Sequence, residues 1–288
     1  MTKILVTGAS GNLGSLTIEH LLTEKNIPTH QIVALVRDKN RAEHLSSKGV
    51  ELRIGTYDDF DSLEEAFAGV EKLLIVSSPV LDNVKRLKQQ YNVVMAAKSA
   101  KVKHIVLVSL ADADTRVFGL EDVDMATEHM IRAVDIPFTF MRNSVYLDEV
   151  MFDLKSAVQK GKLVSSTKGK EFNFVLRSDL ALANATVLSE EGHENKIYEL
   201  VSSELITYPK IASILSELSG KTIEYKENSE DEVIKNLIDS DVNKEAAEML
   251  VHSFQKNIAD EKFQSSSNDL AKLIGERPVK NAIASLIK

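Results

Sequence analysis

The stretch Thr7-Gly8-Ala9-Ser10-Gly11-Asn12-Leu13-Gly14, TGASGNLG, is the strongest indication of the fold of this chain. It joins a short apolar run, Ile4–Thr7, to apolar residues at helical spacing over Asn12–Lys25. In such a strand–turn–helix unit Gly8 permits the tight turn, Gly11 lets the backbone approach phosphate groups, and Gly14 lets the helix pack close to the strand. The helix amides and dipole would then face a pyrophosphate. The predicted nucleotide-binding residues here are Gly8, Ala9, Ser10, Gly11, Asn12, Leu13 and Gly14; the alternative is a plain flexible turn.

Strand-like and helix-like patterns alternate outward from this stretch as far as residue 142. A capping box over Ser62–Glu65 predicts the start of the third helix. The predicted strands are Ile4–Thr7, Gln31–Val36, Val50–Ile54, Lys72–Val76, His104–Ser109 and Phe138–Arg142, and the predicted helices are Asn12–Lys25, Arg41–Lys48, Leu63–Phe67, Val84–Ser99 and Asp124–Val134. The alternation predicts an α/β fold of the Rossmann class, a doubly wound parallel sheet that binds ligands at the carboxyl ends of its strands.

The second half of the chain has a different pattern. Gly161–Arg177 is predicted to form short extended pieces, Ser178–Ser189 a helix, and Lys196–Val201 a strand that rejoins the sheet. From Thr207 onward the pattern is mostly helical, with a second capping box over Ser229–Glu232. We therefore predict a dinucleotide-binding domain of residues 1–150, rejoined by about 173–203, and a smaller, mostly helical substrate-binding lobe of residues 151–172 and 204–288.

Composition excludes several classes of protein. The 288 residues carry a net charge of −8, from 35 basic and 43 acidic side chains without a Lys/Arg cluster, which argues against nucleic-acid binding. The absence of cysteine excludes disulfides, thiolate catalysis and cysteine-ligated metals, and the seven histidines show no paired metal spacing. No run approaches the ~18 apolar residues that span a bilayer, and Ile4–Val6 is too short for a signal peptide. The expectation is a cytoplasmic protein with no metal site and no membrane partner.

The residues after the second strand select the nucleotide. Arg37 is the first polar residue there and suits a bidentate contact with a 2′-phosphate, whereas the carboxylate of Asp38, one place later, faces elsewhere in an extended chain. This order favours NADPH over NADH; the alternative for Arg37 is a solvated arginine at a strand end.

Further polar residues follow the third and fourth strands. Asp58 can accept a hydrogen bond from the adenine amino group while Tyr57 covers one side of the ring; the alternative is an acidic turn in which Asp59 or Asp61 caps a helix. Ser77, Ser78 and Pro79 come after the fourth strand and lie near the expected cofactor path.

A proton donor is harder to find. Ketone reductases of the short-chain type use Tyr-x-x-x-Lys, and none of the six tyrosines has Lys four places later. Ser109 follows the fifth strand and could equally be a capping serine, His129 is more typical of a surface residue, and Tyr146 could be a core aromatic. Asn143 completes the set of candidate donors.

Several of these segments together resemble one family. TGASGNLG, ALVRD, TYDD, VSSP, MRNSVY and KIYELVSS resemble the NmrA-like atypical short-chain dehydrogenase/reductase family, and within it the bacterial NADPH-dependent quinone oxidoreductases. The resemblance implies NADPH held by the glycine loop and Arg37, with Ser77, Ser78 and Asn143 through Tyr146, including Ser144, along the nicotinamide half. Asn143 and Tyr146 are the catalytic candidates that it implies. This chain departs from the family at Asn143-Ser144-Val145-Tyr146, where relatives often have Gly, and at Thr127-Glu128-His129, where relatives often have Lys.

Three functions follow from these observations. The first is direct hydride transfer from NADPH to a small quinone, whose reduction product is a delocalised anion that water can protonate. The second is a non-catalytic NADP(H)-sensing regulator that binds a protein partner. The third, an epimerase or dehydratase, needs an acid/base pair that the sequence does not supply. A homodimer is left open.

Overall fold

The structure is a computed structural model that describes residues 2–113, 121–151 and 153–287. The chain forms two compact units, the first of residues 1–143 and 178–200 and the second of residues 144–177 and 201–288. That the first unit binds the dinucleotide and the second the substrate stays a prediction.

The first unit is built on a parallel sheet. Within the described residues it has seven strands in the order β3-β2-β1-β4-β5-β6-β9. The strands are β1 Ile4–Val6, β2 Ile32–Val36, β3 Glu51–Ile54, β4 Lys72–Ile75, β5 His104–Leu110, β6 Phe138–Asn143 and β9 Lys196–Leu200. Ile4 lies opposite Ile32 on one side and Lys72 on the other, and Thr139 lies opposite Lys196. The predicted doubly wound sheet is confirmed, and so is the return of the chain to it at β9.

Helices cover both faces of this sheet. Leu5, Leu73 and Leu107 point to one face, where they pack with Phe67 and Val93 in a buried cluster. Side chains alternate along a strand, so Ile4, Leu74 and Val106 point to the other face, and these side chains are buried as well. The helices of the unit are α1 Asn12–Thr23, α2 Glu43–Ser46, α3 Phe60–Phe67, α4 Asn83–Ser99, α5 Glu121–Ala133 and α8 Arg177–Ser189, with 3₁₀ turns at Thr29–Gln31 and Lys39–Ala42. The first residue of α8, Arg177, is counted with the second unit.

Two predicted helix boundaries are wrong. The capping box over Ser62–Glu65 does not form, because Asp59 is the N-cap and its carboxylate accepts hydrogen bonds from the amides of Asp61 and Ser62. The Ser62 hydroxyl instead donates to the carbonyl of Asp59, so α3 begins at Phe60. The predicted helix Arg41–Lys48 is divided between the second 3₁₀ turn and the short α2.

The second unit surrounds its own apolar core with helices. Its strands, β7 Lys162–Ser165, β8 Phe172–Asn173, β10 Leu205–Ile206 and β11 Glu224–Glu227, form two small sheets, β10-β8 and β11-β7. Its helices are α6 Leu147–Val150, α7 Leu154–Lys160, α9 Tyr208–Ser219, α10 Glu230–Ile238, α11 Lys244–Met249, α12 Lys256–Ala259, α13 Asp269–Ile274 and α14 Val279–Ile287, with a π-helical segment at Leu250–Gln255. The capping box at Ser229 forms as predicted, and α9 ends at Gly220 in the left-handed conformation. None of the helices in the described ranges is long and apolar enough to cross a membrane.

Candidate functional site

The glycine loop has a geometry that larger residues cannot adopt. Gly8 has a φ of +60°, and its carbonyl accepts a hydrogen bond of 2.9 Å from the amide of Gly11. A Cβ on Gly14 would lie 2.5 Å from the Gly8 carbonyl oxygen, closer than atoms in contact can approach. α1 therefore begins directly against the end of β1. In the described part of the chain no side chain caps this helix, so its first-turn amides remain suited to an anion.

Arg37 and Asp38 have different surroundings at the end of β2. The Arg37 side chain is exposed one residue after the strand. The Asp38 carboxylate accepts from the amide of Asn40 at 3.0 Å and so caps the following 3₁₀ turn. The side chain free to meet a nucleotide ribose is thus the cation, which suits a 2′-phosphate better than two ribose hydroxyls.

Tyr57 fixes the loop after β3 to the ends of β1 and β4. Its hydroxyl donates to the Val76 carbonyl at 2.8 Å and lies 2.5 Å from the Thr7 hydroxyl oxygen, which accepts from the Val76 amide at 2.9 Å. Burial raises the pKa of Tyr57 far above its ordinary value, so the hydroxyl stays protonated. The neighbouring Asp58 is exposed, and one of its oxygens accepts from the Gln89 side chain at 2.9 Å.

Ser77 belongs to a buried polar network. Its hydroxyl lies 2.9 Å from a carboxylate oxygen of Asp124 and accepts from the Gln90 amide at 3.2 Å. Burial raises the pKa of Asp124, and Arg86, whose guanidinium lies 3.5 Å from the carboxylate, acts in the opposite direction. The Ser77 side chain therefore faces the protein interior. Ser78, which follows it, is nearly buried, and Pro79 is exposed.

Ser109 belongs to a second buried network, which sequence reasoning missed. Its hydroxyl donates to Glu128 at 2.8 Å, and the two Glu128 oxygens each accept from the Arg142 guanidinium at 2.9 Å. Arg142 also pairs with Glu199 at 2.9 Å, and these carboxylates raise the pKa of the guanidinium. The sequence does contain a signal for this network, because Glu128 lies in a predicted helix and Arg142 in a predicted strand. A charge that such elements bury needs a partner of opposite charge. His129, beside Glu128, is exposed.

The two catalytic candidates belong to different units. Asn143 is the last residue of β6 and is buried, and its carbonyl accepts from the Ala111 amide at 2.9 Å. Ser144 and Tyr146 are in the second unit, and Tyr146 is partly buried beside Val175. The first unit thus contains Gly8–Gly14, Arg37, Tyr57, Asp58, Ser77, Ser78, Pro79, Ser109 and Asn143, all at or just after the carboxyl ends of its strands. Across the described residues, no group of three or more His, Asp or Glu side chains could hold a metal ion.

Comparison with known proteins agrees with this geometry. The NmrA-like family matches residues 1–278. Quinone oxidoreductase 2 of Escherichia coli is 36% identical over 272 residues, covering 94% of this chain and 93% of that protein. The structure of the Citrobacter sp. triphenylmethane reductase complexed with NADP(H) superposes with a TM-score of 0.90 at 42% identity, covering 99% of this chain and all of that one. The E. coli NADPH-dependent quinone oxidoreductase complexed with NADPH gives a TM-score of 0.86 at 34% identity, with the same coverage.

Proposed function

The chain belongs to the NmrA-like family, and we propose that it is an NADPH-dependent oxidoreductase that delivers hydride to a small quinone. The observation that carries the proposal is the close approach at Gly14, where a Cβ would lie 2.5 Å from the Gly8 carbonyl oxygen. This contact aims the uncapped start of α1 at the carboxyl edge of the sheet, where a pyrophosphate binds in folds of this type.

Each predicted site residue would hold one part of the cofactor. Gly8 through Gly14 would hold the pyrophosphate, Arg37 the 2′-phosphate, and Tyr57 and Asp58 the adenine. Ser77, Ser78, Pro79 and Ser109 would line the path toward the nicotinamide, through main-chain groups at Ser77 and Ser109, whose hydroxyls bind inside the unit. Asn143 would border the nicotinamide from the first unit; the resemblance to the family adds Ser144 and Tyr146, which belong to the second unit. When bound, NADPH supplies the hydride.

The hydrogen bonds of Ser77 and Ser109 also limit which side chains can bind the molecule that accepts the hydride. The hydroxyls of Ser77 and Ser109 bind buried carboxylates, and the exposed His129 has the position of a surface residue. Asn143 in the first unit and Tyr146 in the second are therefore separate candidates to bind a substrate oxygen. A quinone suits such a site, since hydride addition gives a delocalised anion that water can protonate without a dedicated acid. Holding the quinone flat and dry beside the hydride donor supplies most of the rate by proximity.

A second acceptor class needs still less from the protein. A triphenylmethane cation accepts hydride at its central carbon and becomes neutral, so no proton is required. The 42% identity to triphenylmethane reductase and the internal hydrogen bonding of both serines favour testing this class beside quinones. The two reactions differ in proton stoichiometry, because quinone reduction takes up one proton for each NADPH and dye reduction takes up none.

The test is steady-state oxidation of NADPH with a benzoquinone or a triphenylmethane dye, run beside NADH, with proton uptake recorded in weak buffer. Exposed Arg37 is changed to Asp, and Lys98, exposed in the last turn of α4, is changed to Asp as a control for net charge. R37D removes a charge-assisted contact with the 2′-phosphate, so we expect it to raise KM for NADPH about 10- to 100-fold. The KM of K98D should stay near the wild-type value.

Two results would count against the proposal. Equal use of NADH and NADPH that R37D leaves unchanged would remove Arg37 from the cofactor site. NADPH binding without turnover of any acceptor would reject the reductase and favour the NADP(H)-sensing regulator, which a pull-down with and without NADPH would then test.

A further inference from the structure

We propose that Arg177 is a positioning residue for the active site: its guanidinium fixes the plane of the Tyr146 ring. The inference rests on the proposed function, in which Tyr146 borders the substrate. It assigns a role to a residue 31 places from Tyr146 in the chain, which no sequence motif connects to it. Ketone reductases of the short-chain type place a Lys four residues after their tyrosine, and this chain has Val150 there.

The contact is a guanidinium cation over the face of an aromatic ring. The central carbon of the Arg177 guanidinium lies 5.1 Å from the centroid of the Tyr146 ring, within the range of a cation–π interaction. Arg177 is only 8% exposed, so water competes little for this face of the ring. The segments are also joined through the backbone, because Tyr146 pairs with Val175 and the Leu147 amide donates to the Val175 carbonyl at 3.0 Å.

Two carboxylates form ion pairs with the guanidinium. Asp148 accepts from the Arg177 backbone amide at 2.9 Å and lies 3.2 Å from the Arg177 Nη1. The Glu149 carboxylate contacts Nη2. Both carboxylates come from the short helix α6, which follows Tyr146, so the ring, α6 and the arginine form one local clamp within the second unit.

The clamp acts through orientation. Arg177 carries one positive charge and Asp148 and Glu149 carry two negative charges, so the cluster has a formal net charge of −1 and does not stabilise an anion on the substrate. A planar guanidinium held by its carboxylate partners instead restricts rotation of the ring beneath it. Restricting a side chain that contacts the substrate raises the rate, because less orientational freedom is lost in the transition state.

The experiment compares Arg177→Lys with Arg132→Lys. Lysine keeps the charge but lacks the planar group. Arg132 is the matched control, because its guanidinium lies 5.2 Å from the rings of Phe138 and Phe140, which have no assigned role in turnover. Each change is made in the wild-type chain and in Tyr146→Phe, and kcat, KM for the quinone and Kd for NADPH are measured. Since the chain has six tyrosines and no tryptophan, near-ultraviolet circular dichroism reports tyrosine immobilisation directly.

We expect R177K to lower kcat about 10-fold, with Kd for NADPH unchanged and a weaker tyrosine dichroism band. In Y146F the same change should lower kcat much less, and R132K should leave kcat unaltered in both backgrounds. An equal loss of kcat with R177K in the wild-type and Y146F chains would overturn the positioning role, as would full activity of R177K. In either case NADPH oxidation by the wild-type chain would leave the proposed function standing, whereas a wild-type chain without turnover rejects both.

Discussion

Among single residues, Gly14 affects both the conformation of the glycine loop and the binding of the nucleotide. A methyl group there would press on the Gly8 carbonyl, at 2.5 Å, while one on Gly11 would lie 3.2 Å from the same oxygen. We expect G14A to lower the free energy of unfolding by about 2 kcal/mol and to weaken NADPH binding. G11A should weaken NADPH binding with a smaller loss of stability. Urea titration of the protein without nucleotide, followed by NADPH titration, separates the two effects. Equal midpoints for G14A and the wild-type chain would show that the loop yields without strain.

A second prediction concerns the stability that Arg142 gains from its two carboxylate partners, because these partners differ in burial. The side chain of Glu128 is 1% exposed and that of Glu199 is 25% exposed. Removing a buried partner leaves an uncompensated charge, so E128A should cost about 3 kcal/mol of stability. E199A should cost less, since water can reach the vacated side of Arg142. Urea midpoints of the two variants give the order, and a larger loss in E199A would contradict it.

At the scale of the element, the two Ser-x-x-Glu boxes show where sequence reasoning succeeds and fails. The Ser229 box forms with both hydrogen bonds, and the side-chain oxygen of the preceding Asn228 accepts none of the amides among the described residues. Ser62 has the same pattern, but Asp59 lies three residues earlier, and its carboxylate already accepts from two amides of the first turn. A local pattern predicts a helix start only when no nearby residue competes for the same amides.

The box that forms gives a prediction of its own. Ser229 accepts from the Glu232 amide, while the Glu232 carboxylate accepts from the Ser229 amide at 3.0 Å. S229A should lower the free energy of unfolding by about 1 kcal/mol. Ser213 is exposed inside α9, where alanine is the better helix former, so S213A should leave stability unchanged or slightly raised. Thermal unfolding of both Ser→Ala variants is the measurement. A loss in S213A as large as that in S229A would assign the effect to serine content and not to capping.

For the molecule as a whole, the alternation of strand and helix patterns predicts the sheet, because the spacing of apolar residues that marks each strand or helix lies within one short segment. Arg37 and the glycine loop are predictable for the same reason, since their chemistry is local to one strand end. The Glu128–Arg142–Glu199 network and the Tyr146–Arg177 stack join segments that are distant in sequence. In the sequence these residues are isolated charges, and the periodicity of apolar residues does not predict which of them will meet. Candidate site residues also continue past Asn143 into a second compact unit, which no motif marks.

The pH dependence of global stability follows from His104, which is buried where β5 begins. Its Nε2 lies 2.9 Å from the Thr139 hydroxyl, which itself donates to the His193 carbonyl at 2.6 Å, so the neutral ring donates through Nε2. A second proton on the buried Nδ1 would find no acceptor among the described residues. Burial, together with Lys72 and His193 and against Glu194, lowers the pKa of His104 to about 4.

The sign of the effect is fixed by this lowered pKa. Below an ordinary histidine pKa of about 6.5 the unfolded chain binds a proton that the folded chain refuses, so stability falls as the pH drops from there toward 4. Between pH 8 and pH 5 the wild-type chain should lose about 1 to 2 kcal/mol more than His104→Gln, whose side-chain amide can still donate to Thr139. Asp153, whose pKa burial raises to about 6, acts in the opposite sense in both proteins, so the difference isolates His104. Urea unfolding at the two pH values tests this, and parallel losses in both proteins would mean that His104 takes up its proton without unfolding.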